Sequence, residues 1–87
     1  MKTFFKSRMA AIAKEIASFG FRNFDIDTWA EIMYGLELVD PHTHYVWLHV
    51  CLARGLLKEL DRPDATAPRL FAPGRRFSEY LPREGAA

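Results

Sequence analysis

The stretch from Asp40-Pro41 to Arg54-Gly55 constrains the fold more than any other part of this chain. A carboxylate before a proline supplies an N-cap acceptor and a first helical residue whose missing amide hydrogen costs nothing. A glycine after the last periodic residue is a natural stop. Between these signals Tyr45, Leu48 and Leu52 form one line, widened by Val46, Val50 and Cys51, which predicts a helix with a broad apolar face. The rest of the chain has to pack around it.

Working outward, residues 3–19 place Phe5, Met9, Ile12, Ile16 and Phe19 at steps of three or four, the stripe of an amphipathic helix, and Gly20 ends it. After a short connection, Thr28-Trp29-Ala30-Glu31 has capping-box spacing, and Asp25 and Asp27 suit the positive end of a helix. That second helix presents Trp29, Ile32, Met33 and Leu36 before loosening at Gly35. Beyond Gly55, residues 56–60 fit either a continued helix or a short strand, and the strand is preferred because Gly55 precedes it and Arg62-Pro63 follows. The loop at 62–68 holds two prolines and no apolar anchor, so it reads as an exposed tip. Arg69-Leu70-Phe71 is a return strand, Pro73-Gly74 punctuates it, and Phe77, Tyr80 and Leu81 mark a short fourth helix over 75–81. The expected organisation is a single domain over residues 1–82 with a tail at 83–87.

With 87 residues, 49% hydrophobic and 14% aromatic, the chain has one thin core that would gain from dimerisation. Phe4 and Phe5 cannot both face that core, which makes the first helix the expected homodimer surface. The single cysteine, Cys51, rules out an intramolecular disulfide. No segment has the pattern of a signal peptide, and no apolar run approaches the roughly 20 residues that span a bilayer, so a cytoplasmic chain without membrane contact is expected. The net charge is only +1, but its distribution is uneven. Residues 23–53 contain no Lys or Arg, while Asp25, Asp27, Glu31, Glu37 and Asp40 all lie there. The basic residues occupy the two ends of the chain.

The order helix, short helix, turn, helix, strand, loop, strand, closing helix resembles the winged helix-turn-helix superfamily. Leu52-Ala53-Arg54-Gly55-Leu56-Leu57 is similar to the end of a recognition helix running into the wing. Leu70-Phe71-Ala72-Pro73-Gly74-Arg75-Arg76-Phe77 resembles the segment leaving the wing in MarR- and PadR-like repressors, and the likeness spans roughly residues 3–81. The resemblance implies a mainly α fold with a small β-hairpin, its third helix in the major groove and its wing against phosphate or the minor groove. It further implies sequence-specific duplex DNA binding by a small, dimeric transcriptional regulator. Pro41, His42, Thr43, His44 and Trp47 would then face the groove, and Arg54, Lys58, Arg62, Arg69, Arg75 and Arg76 would meet phosphates. Each of these residues also has an ordinary reading as a helix or surface position.

The chain departs from the family pattern in one respect: its recognition helix carries histidines where a DNA reader carries Arg or Lys, and acidic residues precede it. The alternative is the same fold used as a protein-interaction module, such as a phage- or plasmid-encoded accessory or inhibitor protein using its acidic surface. A third possibility is a helical structural subunit in which residues 56–60 extend the third helix.

Nothing in the sequence assembles into an active site. His42 and His44 point to nearly opposite sides of a helix, whereas zinc needs three or four converging ligands. Cys51 sits on an apolar face with no neighbouring base, the setting of an inert thiol. There is no phosphate-cradling glycine loop and no Gly-x-Ser-x-Gly. No catalytic residue, metal or cofactor is expected.

Overall fold

The computed structural model describes residues 2–20 and 22–81, with side chains from residue 5 onward. Phe4, at the expected dimer surface, and Pro82 with the expected tail therefore lie outside the described side chains. The elements are α1 (Lys2–Ser18), α2 (Ile26–Gly35), α3 (Pro41–Arg54), β1 (Leu57–Glu59), β2 (Phe71–Pro73) and α4 (Phe77–Tyr80). The chain is thus mainly helical with a two-stranded antiparallel hairpin.

The inward stripe of α1 is Met9, Ile12, Ala13 and Ile16, all buried. Phe19 does not belong to it: α1 ends before that residue, Gly20 turns the backbone at φ 81°, and Phe19 is left exposed.

The second helix starts one turn earlier than the capping-box spacing predicts. Asp25 caps it in an extended conformation, its Oδ1 accepting the Thr28 N–H at 2.9 Å. Asp25 takes that place because Phe24 is pinned in extended conformation by a bridge to Phe71, leaving the next residue as the first free to start a helix. Gly35 stays inside α2, and the chain leaves the helix through Glu37, a non-glycine residue at φ 65°. The Leu38 N–H donates to the Met33 carbonyl and the Glu37 N–H to the Tyr34 carbonyl, both at 2.9 Å, which is a Schellman motif with glutamate where glycine is usual.

In α3 the predicted signals operate as expected. The Asp40 carboxylate accepts the His42 N–H, Pro41 opens the helix, and Gly55 closes it at φ 80°. The buried face differs from the predicted one, however. It is His44, Leu48 and Cys51, while Tyr45 and Val46 are exposed. The helix is rotated by one residue step because His44 satisfies two polar groups inside: its Nε2 donates to the Leu38 carbonyl, and its own carbonyl accepts the Trp29 Nε1–H at 2.8 Å.

Residues 56–60 do not extend α3. Strand β1 pairs with β2 in the register Leu57 to Pro73, Lys58 to Ala72 and Glu59 to Phe71. The return strand lies two residues later than predicted and contains Pro73. Bonds from the Leu60 N–H to Leu70 and from the Gly74 N–H to Leu56 fix the parity of the ladder, so the nitrogen of Pro73 faces away from β1 and no bond is lost. The same parity turns Phe71 toward Phe24, with which it exchanges two backbone hydrogen bonds of 2.8 and 2.9 Å. Strand β2 therefore lies between β1 and this single bridging residue. Leu56, Leu57, Phe71 and Phe77 join the helical stripes in one core.

Candidate binding surface

The outward face of α3 is set by the rotation just described. His42, Tyr45, Val46 and His49, spaced i, i+3, i+4 and i+7, share one exposed side of the helix. None is a Lys or Arg. Of the five large hydrophobics exposed among the described residues, four (Tyr34, Val39, Tyr45 and Val46) fall between residues 34 and 46. An apolar patch thus covers the end of α2, the turn and the start of α3.

Several predicted contact residues are committed elsewhere. His44 is buried and cannot face a groove, which corrects the expectation for that residue. Thr43 is half-buried and its hydroxyl donates to the Asp40 carboxylate at 3.4 Å. Trp47 is half-buried against Phe5, ring centroids 6.0 Å apart, so Phe5 packs within its own chain. Pro41 and His42 are exposed.

The arginines are similarly engaged. Arg69 makes a two-pronged ion pair with Glu59, both bonds at 2.9 Å, and lies over the Phe71 ring. Arg76 pairs with Glu79 at 3.0 Å. Arg62 bends back onto the carbonyls of Ala65 and Ala67, while Asp64 accepts from the Thr66 and Ala67 amides, so the loop tip is tied to itself. Arg54 sits over the Phe5 ring, its guanidinium carbon 5.0 Å from the centroid. Lys58 and Arg75 are exposed and line an open hollow of about 490 Å³ together with Leu52, Gly55, Leu57 and Glu59. The structure therefore gathers free cations at the base of the hairpin and leaves the face of α3 without any.

Two clefts lie where α2 meets its neighbours. One, of about 170 Å³, is bounded by Ile26, Trp29, Ala30, Tyr34, Pro41, His44 and Tyr45. The other, of about 240 Å³, is bounded by Asp25, Ile26, Asp27, Pro68 and Arg69, so Ile26 is the wall between them. Asp27 and Glu31 are exposed on α2, with Ala30 and Tyr34 completing the i, i+3, i+4, i+7 row on the same side. The hydrogen bond from the Thr28 backbone holds the Asp25 carboxyl below its ordinary range, and the Arg69 guanidinium does the same for Glu59.

Tyr34, Ile26 and Ala30 were not expected at a site. Their only signal in sequence is an aromatic residue off the apolar stripe of α2, which marks a side chain the core does not use. Among the described residues no group of three or more His, Cys, Asp or Glu comes together as a metal set, and no helix is long and apolar enough to cross a membrane. The chain matches no protein-family model, no curated protein and no solved structure.

Proposed function

We propose that the chain is a winged helix-turn-helix module that binds a partner protein through the outward side of α2 and α3. The observation that carries this reading is the composition of the α3 face: His42, Tyr45, Val46 and His49 expose apolar and aromatic surface and no Lys or Arg. A helix lying in a major groove runs between two rows of phosphates and draws most of its affinity from cations. Asp25, Asp27, Glu31, Glu37 and Asp40, on α2 and the turn that leads into this helix, carry the opposite sign. Exposed aromatic groups ringed by charge are instead what protein interfaces are made of.

The winged-helix assignment is supported by the order of elements, three helices followed by a two-stranded hairpin and a short closing helix.

A second reading, duplex DNA binding by a small regulator, is favoured by one observation, the two free cations Lys58 and Arg75 at the base of the hairpin beside Arg54. Fluorescence anisotropy of a labelled random-sequence duplex at low and near-physiological salt separates the two. Protein docking predicts no saturable duplex binding even at low salt. Saturable binding that weakens steeply with salt would refute it and favour the DNA reading.

A further inference from the structure

From the two clefts that share Ile26, we infer that the α2–α3 groove receives a partner peptide segment carrying one bulky apolar side chain beside a lysine or arginine. This inference rests on the protein-docking reading and names what that surface recognises.

The first compartment is apolar by construction. Its two buried polar groups are already satisfied, the Trp29 indole N–H by the His44 carbonyl and the His44 Nε2–H by the Leu38 carbonyl. An entering group meets a mainly apolar lining: the Trp29, Tyr34 and Tyr45 rings, Pro41 and the side chains of Ile26 and Ala30. An apolar cavity of about 150 Å³ holds benzene. At about 170 Å³ this cleft therefore has room for a phenyl ring or a branched aliphatic group. Such anchors, seated in a desolvated pocket, supply most of the affinity of a protein interface.

The second compartment is acidic. Asp25 and Asp27 line it; Asp25 is already engaged by the Thr28 amide and hydroxyl, and Asp27 is the exposed carboxylate of the pair. Arg69 forms part of the wall, but its charge is balanced by Glu59. Asp27 and Glu31 continue the acidic edge along α2 past Ala30, and residues 23–53 contribute no Lys or Arg to it. Charge complementarity thus selects a cationic side chain on the far side of Ile26 from the anchor.

The test uses the whole chain and a short fluorescent peptide with a phenylalanine flanked by lysines. Saturable binding at roughly millimolar or tighter is expected. Alanine in place of the peptide phenylalanine, Ala30→Trp closing the cleft, and Tyr45→Ala removing its wall should each weaken binding about tenfold or more. Asp27→Lys with Glu31→Lys should do the same and remove the salt dependence. Neither of those carboxylates caps a helix, and Tyr45 is half exposed, so these variants keep the fold even if Ala30→Trp does not. A peptide that fails to bind at that concentration, or binds all variants alike, overturns the groove assignment. The docking reading itself fails separately, through saturable duplex binding. Self-association of the wild type that the variants abolish would show the occupant to be a second copy of this chain and would overturn the proposed partner.

Discussion

Gly74 sits where β2 turns toward α4, and the space a side chain would fill there is occupied by backbone from two other elements. A Cβ at this position would lie 2.4 Å from the Gly55 carbonyl oxygen and 2.9 Å from the carbonyl carbon and oxygen of Leu57. Ordinary contact begins near 3.4 Å, so Gly74→Ala requires an opening of about 1 Å (3.4 less 2.4). The groups cannot retreat freely. The Gly55 carbonyl accepts the Arg76 N–H at 2.9 Å, and the Gly74 N–H donates to the Leu56 carbonyl at 2.8 Å. Losing both bonds costs about 2 kcal/mol net, and roughly 2–5 kcal/mol if the freed groups stay buried. Gly20→Ala is the matched control. It meets only the Arg22 Nε at 4.0 Å, so its cost is that of holding alanine at φ 81°, about 1–2 kcal/mol. A domain of this size is expected to have a total stability of about 4–13 kcal/mol, so the two variants are well separated on that scale. Urea denaturation followed by tryptophan fluorescence gives both values, with an unchanged slope confirming comparable unfolded states. If Gly74→Ala proves no more costly than Gly20→Ala, the close packing of β2 against the end of α3 is wrong.

Three further outcomes follow from local geometry. Glu37→Gly should raise stability by about 0.5–1 kcal/mol, because relief at a left-handed C′ position exceeds the added unfolded-state entropy; a fall in the melting temperature would contradict it. Asp25→Ala should destabilise the chain at neutral pH by removing the cap of α2. The folded-state pKa of Asp25 is depressed, so its contribution is present above the unfolded value of about 3.9 and lost as pH falls through the folded value; urea midpoints of wild type and variant should therefore converge in acid. Burial pushes the Cys51 thiol up to about 12, so a thiol reagent at mildly alkaline pH should label the native chain only as fast as it opens, and rapid labelling without denaturant would contradict the burial.

The parts of the fold legible in sequence were those fixed by neighbouring residues. Asp40-Pro41 and Gly55 delimit α3 through their own backbone geometry, and a strand after Gly55 follows from the same stop. Features set by distant partners were not legible. His44 and Tyr45 are adjacent and both fit the edge of an apolar face; only the Leu38 carbonyl and the Trp29 indole decide that His44 turns inward. Asp25 and Thr28 are both good caps, and the Phe24 to Phe71 bridge makes the choice. Pro73 looks like a strand terminator until the ladder parity shows its nitrogen facing away from β1. The clefts exist only once α2 packs on α3, so Ile26 and Ala30 gave no warning, while the pairing of Arg69 with Glu59 across the hairpin neutralises a cation that sequence alone leaves free.

The most direct test of the central claim is an amide chemical-shift map of the isotope-labelled chain at low salt, one sample titrated with random-sequence duplex and another with the lysine-flanked phenylalanine peptide. The peptide is expected to shift the amides of Ile26, Ala30, Tyr34 and Tyr45, and the duplex to leave His42, Tyr45, Val46 and His49 unmoved. Saturable shifts along that face of α3 with duplex, reversed by salt, would contradict that claim.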